Sequence, residues 1–135
     1  MSKRSVVAAL EMLRSVSDFH QIQSHSRSRS HPLLLMRHRR NGLDRTRYGI
    51  STGRKVGSAV VRNGVRRRLR TILRALDPDT QPGFDILLVA RPAAAGVKQT
   101  DLEAALRQLL RGAALFTAAE ALPATPSTTA TEVRP

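Results

Sequence analysis

The chain has 135 residues, enough for one ordinary domain, and sets 23 Lys and Arg against 10 Asp and Glu, a formal net charge of +13. The absence of cysteine excludes disulfides and thiolate metal sites. No stretch reaches the roughly eighteen apolar residues of a membrane span, and the run Val6–Leu10, ended by Glu11, is too short for an export signal, so a cytoplasmic setting is expected.

The charge is concentrated. Residues 25–75 hold fourteen arginines and Lys55 but a single acid, Asp44, whereas residues 76–135 are far closer to neutral. Such a division predicts a polyanion-binding face on a folded domain, with nucleic acid the commonest partner. Membrane-surface binding is the weaker alternative, since no helix combines a basic face with exposed bulky aromatics.

Residues 1–14 read as a loose amphipathic turn or a mobile leader, with the leader proper at 1–10. Ser15 or Ser17 can cap a short helix near 17–24, with Asp18 favourable at its positive end and Phe19, Ile22 and Gln23 close together on one side. Residues 24–31, SHSRSRSH, are either a disordered Ser/Arg tract or a period-2 strand with Arg27 and Arg29 on one face. Leu33–Met36 is a short apolar run that suits a buried strand, bounded by Pro32 and Arg37. Asn41-Gly42 is a strong turn pair, and Tyr48–Thr52 returns as a further strand.

Gly53–Gly57 is a loop, and Ser58 is placed to cap a helix running to about Leu76. At about 100° per residue, Val61, Val65, Leu69, Ile72, Leu73 and Leu76 fall within one arc of about 120°, and the arginines step around the rest. Pro78 and Pro82-Gly83 end that helix. Phe84–Ala90 reads as a central strand stopped by Arg91-Pro92. Thr100–Glu103 has a capping-box pattern, and Leu102, Leu106, Leu109 and Leu110 form the stripe of a last helix ended by Gly112. From Pro123 the tail has nothing to bury and is expected to be disordered.

Chemistry of its own is not expected from this chain. His20, His25, His31 and His38 lack the i, i+4 spacing of a helical metal pair and read as exposed polar residues. The carboxylates are scattered between elements, where a metal-dependent nuclease would group them, and Asp85 reads as a surface polar position. The arginine helix is different. Its cationic face has no neighbouring acids to relieve self-repulsion, and the guanidinium fork suits phosphate. The GRKVGS loop before it exposes amides at a helix N-terminus but lacks the Walker A spacing.

These residues resemble a known family. KVGSAVVRNGVRRRLR is similar to the signature helix of the bacterial ribonuclease P protein component. Asp18-Phe19, Arg47–Ser51, and Gly83–Ile86 through Ala90-Arg91-Pro92 match its other motifs in order, so that the resemblance covers about residues 11–114. It implies an α+β, αβββαβα two-layer sandwich around a four-stranded sheet, with a left-handed βαβ crossover at the arginine helix. It further implies domain limits of 1–10 (mobile leader), 11–114 (ribonuclease P protein domain) and 115–135 (helix extension and disordered tail).

The implied activity is that of an accessory RNA-binding subunit of an endoribonuclease, which removes the 5′ leader from precursor tRNA. The resemblance further implies that catalysis resides in the RNA subunit and its Mg²⁺ ions, and that the partners are that RNA and the leader, with neither DNA nor membrane. The alternative is a basic RNA-binding or ribosome-associated protein with no role in cleavage. By position, Arg62, Asn63, Arg66, Arg67 and Arg70 match the helix signature, Arg54 and Lys55 the loop before it, and Phe19 the leader cleft. Three positions depart from the pattern. Gly64 replaces the third residue of the Arg-Asn-Arg core, and Gln23 and Met36 stand at cleft positions where aromatics are frequent.

Overall fold

The computed structural model describes residues 10–13 and 15–116. In chain order these form α1 (Val16–Ser24), β1 (Arg27–Ser30), β2 (Leu34–Arg40), β3 (Arg47–Thr52), α2 (Ala59–Leu76), β4 (Phe84–Ala90) and α3 (Gln99–Gly112), the αβββαβα order expected. Short 3-10 turns at Arg54–Val56, Asp77–Asp79 and Pro92–Gly96 join them. The four strands lie in the order β1-β2-β4-β3, antiparallel except for the parallel pair β3–β4. Phe84–Ala90 is therefore central, and α2 is the crossover between two adjacent parallel strands.

Side chains alternate across a strand, so each strand serves two faces. Leu34 and Met36 of β2, Tyr48 of β3, and Ile86 and Leu88 of β4 are buried in one core with the apolar stripes of α2 and α3. Leu87 points the other way and is buried with Leu13 and Ile22, outside that core. Gly49 makes this second contact possible: a Cβ there would lie 3.0 Å from Phe19 Cε1, 3.1 Å from Leu13 Cδ1 and 3.2 Å from Leu87 Cδ1. The sheet thus packs on α2 and α3 on one face and carries α1 on the other.

Several expectations change. Residues 27–30 are the strand of the two readings, exposed throughout. β2 does not stop at Arg37 but runs to Arg40, because pairing with both β1 and β4 satisfies its backbone beyond the apolar run. Asn41-Gly42 does turn the chain, with Gly42 at φ 74°, yet joins no hairpin, since β4 lies between β2 and β3. Val61 is 38% exposed near the start of α2, and Val56 from the preceding turn enters the core.

α3 begins after Lys98, whose N–H donates to Asp101 Oδ2 at 3.4 Å, so Thr100 is not its cap. Residues 115–116 do not extend α3. The chain turns through Ala114 at φ 60°, buries Leu115 and bridges Phe116 to Thr80. At the other end, Met12 bridges Tyr48 in parallel, so residues 11–13 hydrogen bond to the free edge of β3. The leader at 1–9 and the tail from Pro123 lie outside the described residues.

Candidate nucleic-acid interface

The cationic face follows from how α2 begins. Ser58 accepts the N–H of Val61 at 3.3 Å as the N-cap. Gly57, at φ 150°, supplies the backbone turn before it, and a Cβ there would lie 2.9 Å from Val61 Cγ1. Arg54 and Lys55 are thereby exposed on the turn just ahead of the helix. At about 100° per residue, Arg62, Asn63, Arg66, Arg67 and Arg70 span about 140° beside the buried stripe Val65, Leu69, Ile72, Leu73 and Leu76. All seven residues singled out for RNA binding lie on this turn and the N-terminal two-thirds of α2.

They are not equivalent. Asn63, Arg67 and Arg70 are exposed, whereas Arg62 and Arg66 are half-buried. Arg66 donates through Nη1 to Thr52 Oγ1 at the end of β3 and through Nη2 to Asn63 Oδ1, so its guanidinium is held in place. Arg62 Nε is buried with no hydrogen-bond partner among the described residues. Arg68 is turned inward and donates to the Val97 carbonyl at 2.8 Å, a structural contact. Among the described residues, no arginine of α2 makes an ion pair with a carboxylate.

The three cleft residues do not come together. On α1, Phe19 is half-buried and Gln23 exposed. Met36 is wholly buried in the core under α2 and α3, on the opposite side of the sheet. The β2 residues that share a face with Leu87 and α1 are Leu35, Arg37 and Arg39, all half-buried. A strand position moved by one residue changes face, and the family match at position 36 falls on the wrong one. The alternation Leu34, Met36, His38 against Arg37, Arg39 held the signal, because two consecutive outward arginines cannot share a face with a core methionine.

Three further residues escaped the sequence reading. Asp85 is fully buried, not at the surface, and its carboxylate accepts two hydrogen bonds from Arg47, at 2.9 and 2.8 Å, and one from Asn41 Nδ2 at 3.0 Å. Arg47 also reaches Asp18 of α1 at 3.4 Å, so the pair fastens α1 to the sheet. The hydrogen bond to Asp85 is the largest cause of a raised Arg47 pKa. His38 is likewise buried rather than exposed, and burial, then Arg27 and Arg29, lower its pKa from 6.5. The described residues hold no group of three His, Cys, Asp or Glu that could bind a metal.

Comparison with known proteins converges on one family. The ribonuclease P family model matches residues 8–114. The ribonuclease P protein component of Clostridioides difficile is 32% identical over 100 residues, covering 73% of this chain and 88% of that protein. Its Clostridium botulinum counterpart is 32% identical over 105 residues, with 77% and 95% covered. The Staphylococcus aureus RNase P protein superposes with a TM-score of 0.72 at 25% identity, covering 78% of this chain and 96% of that one. The Thermotoga maritima protein gives 0.70 at 31%, with 76% and 96% covered.

Proposed function

Because the chain belongs to the ribonuclease P protein family, we propose that it is the RNA-binding subunit that docks on a catalytic RNA and helps it remove the 5′ leader of precursor tRNA. The observation that carries this is the α2 face, where guanidiniums without carboxylate partners adjoin the exposed Arg54 and Lys55. Phosphates supply the missing counter-charge, and release of their counterions drives association. Arg66, pinned by Thr52 and Asn63, presents its fork at little entropic cost, while Arg67 and Arg70 adapt to the RNA surface.

The face between α1 and the sheet is the place for the leader, with Phe19 as its aromatic and Gln23, Leu35 and Arg37 around it. With one aromatic, stacking, worth about 1–3 kcal/mol per base, contributes less here than the basic strand. Bond cleavage and its Mg²⁺ ions belong to the RNA. Among the described residues the one fully buried carboxylate, Asp85, is already paired with Arg47, and a cationic surface is a poor host for a dication. No described helix is long and apolar enough to cross a membrane, and a cytoplasmic setting is part of the same proposal.

Reconstitution tests this reading. The chain added to a ribonuclease P RNA should restore precursor-tRNA cleavage at low Mg²⁺, and the chain alone should cut nothing. Binding without stimulation of cleavage would favour a plain RNA-binding protein. Cleavage by the protein alone would place the chemistry in the chain. Within the cleft, Leu35→Tyr should tighten precursor over mature tRNA. Met36→Tyr should instead overpack the core and cost about 1–3 kcal/mol of stability.

A further inference from the structure

α3 ends at Gly112, short of the edge of the sheet it covers, and leaves a hollow of about 630 Å³ at the ends of β1, β2 and β4. A second hollow of about 420 Å³ adjoins it along β1 and shares Arg27, His38 and Ala113 with it. Arg27 pairs in register with His38, Arg29 with Met36, and Arg40 with Phe84, so all three arginines stand on the α3 face. Each is exposed, and among the described residues none makes a side-chain hydrogen bond or ion pair. No Asp or Glu lines either hollow. The Arg40 guanidinium lies 5.1 Å from the centre of the Phe84 ring, against which His38 packs edge-on at 6.4 Å. Stacking on a ring orients a guanidinium and leaves its edge donors free.

We infer that this groove is a second RNA-contacting surface, in which Arg27, Arg29 and Arg40 hold consecutive phosphates of an RNA backbone. Arg27 and Arg29 are successive same-face positions, about 6.6 Å apart along β1, and so offer a row of donors rather than a cup for one anion. The groove goes beyond the role already proposed, because α2 contributes nothing to it and the leader face adds only Arg39 and the end of α1 at His25 to its rim. Arg66 of α2 is tied to β3, at the opposite edge of the sheet, three interstrand spacings or about 14 Å from β1. That exceeds the Debye length of about 8 Å at physiological salt, so the two surfaces engage RNA as separate anchors. His38 reports on occupancy: burial lowers its pKa most, Arg27 and Arg29 lower it further, and phosphates placed on those arginines relieve their part of the effect.

The test uses the full chain and a labelled RNA hairpin with a single-stranded extension, with no RNA subunit present. Three phosphate contacts at about 0.7 each predict that the combined variant Arg27→Gln, Arg29→Gln, Arg40→Gln flattens the slope of log affinity against log salt by about 2 units. In the unsubstituted chain, the imidazole NMR signal of His38 should titrate at higher pH once RNA is bound. An unchanged slope in the variant overturns the proposal, as does a His38 titration that RNA leaves unmoved. Equal damage from Arg74→Gln with Arg111→Gln would reduce the effect to bulk charge and overturn it too. Failure to stimulate precursor-tRNA cleavage counts against the ribonuclease P role alone, since this assay contains no RNA subunit.

Discussion

Arginine does two different jobs on the two sides of this sheet. On the α1 side Arg47 is enclosed between Asp85 and Asp18, and the nearby Arg45 pairs with Glu11 and Asp44. On α2, Arg62, Arg66, Arg67 and Arg70 have no carboxylate within reach among the described residues, and their neighbours are hydroxyl, amide and solvent. A paired arginine holds the fold together and has little left to offer a ligand. An unpaired one adds no attraction by charge to folding and keeps its full attraction for phosphate. The location of the few acids, rather than the number of arginines, separates scaffold from binding surface.

The sharpest way to break that contrast is to remove the acid. Asp85→Ala leaves the Arg47 guanidinium facing a buried void and should destabilise the fold by about 3–5 kcal/mol in denaturant melts. The salt slope of RNA binding by the molecules that remain folded should not change. If Asp85→Ala steepened that slope, Arg47 would have become a phosphate ligand, and pairing would be a matter of degree.

The reverse experiment is Arg67→Ala with Arg70→Ala. Both side chains are exposed and unpaired, so stability should stay within about 0.5 kcal/mol. The salt slope for RNA should flatten by about 1.4 units, two contacts at about 0.7 each. Arg66→Ala should differ from both, losing binding and also about 0.5–1.5 kcal/mol of stability with its bond to Thr52. Arg107→Ala is the matched control: it pairs with Glu103 and covers Phe116, and its loss should leave RNA binding nearly intact.

Gly64 lies about 60° beyond Arg67, at the margin of the cationic face, and has no steric reason to be glycine. A Cβ there meets nothing nearer than Arg67 Nη2 at 4.0 Å, so Gly64→Ala should raise stability by about 1 kcal/mol in thermal melts. Gly64→Arg should add RNA affinity to that gain. A loss of stability in either variant would mean that the helix needs glycine here for a reason other than space.

The smallest effect is a pH dependence where unpaired cations crowd a histidine. His38 has a folded pKa below 6.5, so its neutral form is the one the fold favours, and His31 is lowered as well by burial. Their contribution to stability is present above 6.5 and is lost as pH falls through the lowered folded values. Thermal stability should therefore decline on acidification below 6.5, and His38→Gln should flatten the decline. A rise in stability over that range would reverse the sign assigned to this cluster.

Much of α2 was legible in the residues themselves. A helix repeats every 3.6 residues, so the stripe Val65, Leu69, Ile72 and Leu73, the cap Ser58 and the arginines beside them define both faces without knowledge of the rest of the chain. The same holds for α3, whose leucines mark its buried side, and for the motif order that marks the family. Strands carry less information, because a period of two assigns residues to two sides without saying what covers either. The family match puts Met36 in the cleft against the alternation of its own strand, and Asp85 reads as a surface residue until Arg47, thirty-eight positions away, is brought against it. The second groove is more distant still from sequence pattern. Arg27, Arg40 and Phe84 come from three strands and meet only because β4 inserts beside β2 and α3 stops before the sheet ends. Periodicity is local and is written along the chain; which strand lies beside which is settled by long-range pairing, and that is where this protein gathers its less obvious charges.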